Sequence, residues 1–400
     1  MTFRYLPHVV LIFAVSGQLC PAAETPPRQN RMVHRVDDQI VDGSGRPLKL
    51  RGVNLGGWLL WEPWMWGGHL DASESKLSGR LEGIVGPAEA ARFREAVYDN
   101  FITEADIRRI GELGFNVVRV PMNSSIFNGD TGWRILDGLI SWAEKYHVYL
   151  VLDLHSAPGG QSAVFTSDPQ GRGQLWNSTN NQARTVELWK TIAGRYRNRA
   201  IIAAYDVLNE PDAPGGDQLL SLYRRVIAGI REVDSSHLIF LEGGRFASDF
   251  SMFSGSLSGN EAYSFHMYTL KRDDRAQRLD SYRRLAKTQR IPLWCGEFGV
   301  NTYEMIESTV GLFDRPENDV VGWAYWTWKR APTNNPSLMS IKLSPLWSHL
   351  IERASSPLGL GEPSRMQALA AMKEFVSAIR LENNIEDPRM TSILTGAAKR

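Results

Sequence analysis

Eight short apolar runs, most of them rich in β-branched residues, recur along the chain at 50–57, 116–122, 149–155, 203–211, 238–244, 262–268, 292–299 and 320–328. They are almost continuously apolar, as parallel strands covered on both faces must be. Between them lie amphipathic segments at 101–113, 137–147, 179–196, 218–233, 274–288 and 303–313, with a last one at 366–379. The first of these opens with Thr103 and carries Ile107, Ile110 and Leu113 at helical spacing. Eight strands, each followed by a helix or a long loop, predict an α/β chain folded as a (β/α)8 TIM barrel in a single domain. The competing architecture, a doubly wound open sheet, usually has fewer strands and an early phosphate loop. This chain has no complete G-x-G-x-x-G and no Gly-Lys pair. Ahead of the first strand, segments 32–40 and 47–50 flank Asp42-Gly43-Ser44-Gly45, which predicts an N-terminal β-hairpin capping the barrel floor.

The ends of the chain read differently. Arg4, an apolar run over 9–15 and small residues up to Ala22 and Ala23 describe an export signal at 1–23. The run is too short to cross a bilayer as a helix. A membrane anchor is the alternative; the expectation is a secreted or periplasmic protein with no stable membrane insertion after signal removal. Cys20 would leave with the signal, so the mature chain keeps only Cys295 and can form no intramolecular disulfide. The folded domain is expected to span 24–383, and the polar segment 384–400 is expected to be a disordered tail. With 45 basic and 44 acidic residues, there is no electrostatic case for nucleic acid. A monomer is expected.

In a barrel of this kind the chemistry sits at the C-terminal ends of the strands. Reading those ends in order gives Arg119, His155, Asn209 with Glu210, His266 with Tyr268, Glu297 and Trp326. Polar groups that close apolar runs are costly to bury unless paired, so their convergence on one rim points to a site. Strands four and seven face each other across the barrel, which sets Glu210 opposite Glu297. Two such carboxyls suit glycoside hydrolysis: one gives a proton to the leaving oxygen, the other attacks or stabilises the sugar cation. Arg119 and Tyr268 could keep Glu297 charged by hydrogen bonding, Asn209 could donate to a sugar 2-hydroxyl, and Trp326 could floor the pyranose ring.

These motifs resemble glycoside hydrolase family 5, the cellulase family. The resemblance rests on Asn209-Glu210-Pro211, His266-Met267-Tyr268, Gly296-Glu297-Phe298-Gly299, Arg119 in Val118-Arg119-Val120-Pro121, His155 in Asp153-Leu154-His155, and Trp326. It implies a retaining mechanism with Glu210 as acid/base and Glu297 as nucleophile. Arg51-Gly52-Val53-Asn54-Leu55-Gly56-Gly57-Trp58, Glu62-Pro63-Trp64 and His155-Ser156-Ala157-Pro158-Gly159-Gly160-Gln161 are similar to the exo-β-1,3-glucanase-like branch. The chain departs from that branch at Phe298, where tryptophan is frequent, and in lacking disulfides. Cleavage of β-1,3- and of β-1,4-glucan are therefore both expected substrates, and a transglycosylase or a non-catalytic glucan-binding protein are the rival readings.

No cofactor is implied. A metal site would bring a His-x-His pair or a carboxylate cluster, and a serine hydrolase a G-x-S-x-G elbow; the sequence shows none of these. The acidic loop 212–217 reads as solvated. Trp58, Trp61, Trp64 and Trp66 read mainly as a hydrophobic lid or core plug. Cys295 falls beneath the site if its strand alternates regularly, and reads as an inert buried thiol. Loop 56–100 is long enough to wall off one end of a groove, which favours exo action.

Overall fold

The computed structural model describes residues 1–2 and 32–396, apart from 170–172, 269–271, 359–360 and 362. The export signal read over 1–23 thus lies, beyond its first two residues, outside the described residues.

Eight parallel strands close into a barrel: β1 (Leu50–Asn54), β2 (Val117–Asn123), β3 (Tyr149–Ser156), β4 (Ile202–Asp206), β5 (Leu238–Glu242), β6 (Glu261–Met267), β7 (Leu293–Gly299) and β8 (Val320–Trp326). Each pairs with its neighbours in chain order, and β8 closes on β1. Every predicted strand is present. Their apolar runs are explained by two distinct cores. Leu50, Val117, Val151, Ala204, Leu238, Phe240, Ala262, Trp294, Val321 and Ala324 fill the lower lumen. The alternate residues, among them Val118, Leu150, Leu152, Tyr205, Ile239, Leu241, Tyr263 and Phe265, pack outward against the helices. The barrel closes because Gly322 lets β8 approach β1: a Cβ there would stand 2.0 Å from the Leu50 carbonyl oxygen.

The floor is capped as expected, but the turn moves. The hairpin pairs His34–Val36 with Gln39–Val41, so its tip is Asp37-Asp38, with Asp37 at φ 53°. The predicted Asp42–Gly45 turn also forms: it joins Val41 to Pro47 through a further bridge, with Asp42 Oδ1 accepting from the Ser44 backbone at 2.8 Å. Val33 and Ile40 plug the lower lumen.

Helices 179–196 and 303–313 match their predicted spans as Thr179–Tyr196 and Tyr303–Phe313. Thr103 caps Glu104–Glu112 through a capping box with Asp106. Region 56–100, read as a loop, instead contains two helices, Glu74–Val85 and Pro87–Phe101. They pack with Pro345–Ser355 and Arg365–Ala378 as a helical annex beside the barrel. Its centre is aromatic: Trp66 lies 4.8 Å from Trp61 and 5.0 Å from Phe375, and Trp347 stacks on Phe375 at 3.8 Å. Trp58, Trp61 and Trp66 are all buried, so the core-plug reading holds for these three, while Trp64 is half-buried.

The disordered tail expected over 384–400 is a correction. Asn384–Glu386 adds a strand antiparallel to Met339–Ile341, and Pro388–Thr395 forms a helix. Asp387 caps that helix, Pro388 opens it, and Met390 and Leu394 share one buried face. A short polar stretch with two apolar anchors four residues apart can fold when a neighbouring helix supplies the other half of the core.

Candidate active site

The upper lumen is charged where the lower is apolar. The same inward register that places Val117 below places Arg119 above, fully buried. Its guanidinium donates through Nη1 to Glu297 Oε1 at 2.6 Å and to Asn54 Oδ1 at 3.2 Å. Nη2 donates to Asn209 Oδ1 at 2.8 Å and to Glu242 Oε1 at 3.0 Å, and Nε to Asp206 Oδ2 at 2.9 Å. Asp153 Oδ2 stands 3.1 Å from Nη2. Four buried carboxylates therefore converge on one cation. This is a carboxylate cluster that the sequence reading did not find, because its members come from β3, β4, β5 and β7.

All eight residues read from the strand ends meet here. His266 Nδ1 lies 2.8 Å from Glu210 Oε1 and 3.6 Å from Glu297 Oε2. Tyr268, exposed at the rim, donates its hydroxyl to Glu297 Oε2 at 2.9 Å. Trp326 is buried, with one face stacked on His155 at 5.4 Å and 18°. Asn209 and Glu210 lie just past the end of β4, where Glu210 takes φ 42°, a left-handed conformation rare outside glycine. Its backbone N–H donates to Glu242 Oε2 at 2.6 Å. Glu210 keeps 18% of its side chain exposed against 5% for Glu297.

The hydrogen bonds assign His155. Because Arg119 donates to Asn209 Oδ1, the amide nitrogen of Asn209 faces His155 Nε2, 3.3 Å away. Nε2 must accept, so Nδ1 carries the hydrogen and donates to Asp153 Oδ2 at 2.7 Å. The other Asn209 N–H has no partner among the described residues. Burial lowers His155 to about 4, so the ring is neutral at pH 7. Burial likewise raises Asp153 to about 8 against the pull of Arg119. His266 goes the other way: burial opposes its charge, but Glu242 and Glu297 outweigh it and hold the imidazolium well above its ordinary range. Burial raises Glu297, and the charges of His266 and Arg119 oppose that rise.

A glycine orients Glu297. Cys295 pairs with Phe265 and Glu297 with His266, so Gly296 is the extra residue of a bulge. Trp294 faces the lumen and Cys295 the helices. Without the bulge Glu297 would follow Cys295 outward; with it, Glu297 turns inward and Phe298 outward. Cys295 is therefore not beneath the site, as regular alternation would place it. It is a buried free thiol on the outer face, donating to the Glu297 carbonyl at 3.3 Å. A Cβ on Gly296 would meet Ser264 Oγ at 2.6 Å and His266 Nε2 at 3.1 Å.

Asp153, Asp206, Glu242, Asn54 and Glu62 are site residues that reading strand ends missed. The first three carried a signal: an acid at inward register within or closing an apolar run. Glu62 comes from the loop after β1, buried, with Trp64 Nε1 donating to Oε2 at 2.7 Å and Oε1 unpartnered. Burial first, and the charges of Glu297 and Glu210 after it, raise Glu62 to about 8. Asp212 and Asp217 are exposed, as a solvated loop should be.

An oxygen of Glu210, an oxygen of Glu297 and a nitrogen of His266 all lie within 4.8 Å of one another, the one such grouping among the described residues that could hold a metal ion. All three side chains already engage protein partners.

The family model described as Cellulase (glycosyl hydrolase family 5) matches residues 73–332. A protein named Beta-xylosidase from Phanerodontia chrysosporium is 30% identical over 334 residues, covering 73% of this chain and 69% of its own. A protein named Probable glucan 1,3-beta-glucosidase A from Neosartorya fischeri is 32% identical over 235 residues, covering 56% of this chain and 55% of its own. The chain thus spans little more than half of the second relative. The solved structure of a rutinosidase from Aspergillus niger superposes with a TM-score of 0.58 at 18% identity, covering 72% of this chain and 91% of that one, which shows the same fold.

Proposed function

The chain belongs to the cellulase family, glycosyl hydrolase family 5, a family of glycosidases hydrolysing O-glycosyl bonds, and from that premise we propose that it cleaves β-glucosidic bonds of β-1,3- or β-1,4-glucans by double displacement, with Glu210 as acid/base and Glu297 as nucleophile. The observation that carries the proposal is the spacing of the two carboxyls, whose nearer oxygens lie within 4.8 Å. Retaining enzymes set their carboxyls about 5–5.5 Å apart, whereas inverting ones leave roughly 6.5–9.5 Å for a water.

In the first step a Glu297 oxygen bonds to the anomeric carbon, the bond to the leaving oxygen breaks, and Glu210 gives that oxygen its proton. In the second, Glu210 takes a proton from water, the water oxygen bonds to the same carbon, and Glu297 is released. Arg119 and Tyr268 each hold one Glu297 oxygen, which favours the ionised nucleophile and fixes its direction. The other Asn209 N–H is available to the sugar 2-hydroxyl, and Trp326 lines the sugar site beside His155. The relatives named for β-1,3-glucan and for β-xylosides support a β-linked pyranoside substrate. The helices of region 56–100, packed into the annex beside the barrel, support a groove closed at one end and so exo action.

Glu297→Ala is expected to lose several orders of magnitude in turnover with its fold intact. Azide should restore turnover and yield the glycosyl azide of inverted configuration. Wild-type-like hydrolysis by this variant sinks the proposal. A product profile on β-1,3-, β-1,4- and xylo-oligosaccharides fixes the linkage and separates hydrolysis from transfer; glucan binding without release of any product supports the non-catalytic reading instead. We further propose that the chain is exported and acts as a monomer. The N-terminal apolar run supports export, and among the described residues no helix is long and apolar enough to cross a membrane. Its presence in the medium or periplasm, cut after residue 23, checks this.

A further inference from the structure

Glu242 is a buried acid at the end of β5 that takes no part in the two displacement steps, and yet it touches Glu210, which does, and Arg119 and His266, which contact the two catalytic carboxyls. Its Oε2 accepts from the backbone N–H of Glu210 at 2.6 Å. Its Oε1 accepts from Arg119 at 3.0 Å and stands 3.1 Å from His266 Nε2, off-line for a hydrogen bond but close enough for an ion pair. The other ring nitrogen of the same imidazole meets the Glu210 side chain at 2.8 Å. One carboxylate thus grips Glu210 twice, directly through its backbone and indirectly through His266. We propose that Glu242 is a positioning residue for Glu210, and that it serves proton transfer to the leaving group rather than attack by the nucleophile.

The physical need for it is visible in the backbone. Glu210 sits at φ 42°. A non-glycine residue held there is strained and persists only where the surroundings over-determine it. A charge-assisted hydrogen bond to its N–H is the kind of contact that holds such a conformation. Glu242 is itself fixed from behind, because Tyr223 donates its hydroxyl to the Glu242 carbonyl at 2.8 Å. The nucleophile has no direct contact with Glu242 and depends on it only through the charges of Arg119 and His266. Glu297 takes its bonds from Arg119 and Tyr268, and Arg119 keeps Asp153, Asp206 and Glu297 when Glu242 is neutralised.

The inference rests on the double-displacement reading, and the test separates the two. Glu242→Gln keeps the volume but cannot offer acceptors to both Glu210 N–H and Arg119. Glu242→Ala removes the contact altogether. For each variant and for Glu210→Ala, kcat/KM is measured on phenyl and on 2,4-dinitrophenyl β-glucoside, with thermal unfolding as the check on folding. General acid help is worth about 10²–10⁴-fold where the leaving group needs a proton. Both Glu242 variants should therefore lose about 10²-fold or more on the phenyl substrate and less than about 10-fold on the dinitrophenyl one. Equal losses on both substrates by a folded Glu242→Gln overturn the inference and leave Glu242 a structural acid. If Glu210→Ala also fails to discriminate between the leaving groups, the acid/base assignment falls, and the inference with it. Unchanged kinetics in Glu242→Ala overturn the inference alone.

Discussion

Arg119 is the residue on which the site's charges balance. It is buried, and Asp153, Asp206, Glu242 and Glu297 are all within ion-pair distance of it. Removing one partner of a buried ion pair typically costs about 3–5 kcal/mol, because the remaining charge has no water to fall back on. Arg119→Ala strands four acids, so chemical unfolding should show at least that loss, and activity should vanish with it. The excess of acids also has a pH signature. Burial holds Asp153 and Glu62 up at about 8. Unfolded carboxyls ionise near pH 4, so between roughly pH 4 and 8 the folded chain keeps two protons that the unfolded chain has released. The stability tied to them is complete below pH 4 and is lost as pH rises through about 8. His155, lowered to about 4, acts in the opposite sense, but only between its folded value and the ordinary value of about 6.5. Above that, His266 and Asp206, both raised by the fold, add to the same fall. The melting temperature should fall from pH 6.5 to 8.5, and Glu62→Gln should flatten part of the fall. An equally steep fall in that variant removes Glu62 from the account. At this scale the sequence was readable where a polar residue closed an apolar run, as at His155, Glu210 and Glu297. Asp153 and Asp206 escaped because they lie inside runs, where only the inward register marks them, whereas Glu242 ends β5 and bore the same mark as Glu297.

The strands were legible as elements because both of their faces are buried, yet that same property hides which face each side chain takes. In a run apolar on every residue, a shift of register by one leaves the hydrophobic pattern unchanged. The bulge at Gly296 is therefore invisible in Trp294-Cys295-Gly296-Glu297-Phe298, although it decides that Glu297 faces the lumen. Gly296→Ala tests it. The added Cβ would lie 2.6 Å from Ser264 Oγ and 3.1 Å from His266 Nε2. Relief requires the Ser264 hydroxyl to turn aside and β7 or His266 to give as well, and overpacking of this kind costs about 1–3 kcal/mol. A displacement near 1 Å at the reacting groups can cost about 10²-fold in rate, so kcat/KM should drop by that order while the protein stays folded. Full activity would mean that the bulge does not set the direction of Glu297. The helices of region 56–100 were overlooked for a different reason. Leu77, Leu81 and Val85 do recur at helical spacing, but Gly79 and Gly83 interrupt them, each costing about 1 kcal/mol in a helix interior. Packing against Pro345–Ser355 and Arg365–Ala378 holds this helix, and a contact so distant in sequence leaves no local trace.

For the whole molecule, the C-terminal segment decides how much chain the fold needs. Read from composition, 384–400 is a polar, disordered tail. In the structure, Asn384–Glu386 pairs with Met339–Ile341, which in turn pairs with Lys329–Arg330 just beyond β8 and Trp326. Arg109, on the helix leading into β2, donates to both Glu386 oxygens at 2.9 and 3.0 Å, and Tyr303 donates its hydroxyl to Asp387. Met390 and Leu394 are buried, at about 1.5–3 kcal/mol for each such side chain. A chain ending at residue 383 should therefore be about 3–6 kcal/mol less stable, read as a lower denaturant midpoint at an unchanged slope. Met390→Ala with Leu394→Ala in the full-length chain should reproduce most of that loss, which distinguishes lost packing from the mere absence of residues. Catalysis should suffer less than stability, because the segment reaches Trp326 only through two intervening strands. A truncated protein with the parent's midpoint would return 384–400 to the status its composition suggests. A truncated protein that is stable but inactive would instead assign the segment to shaping the site behind β8.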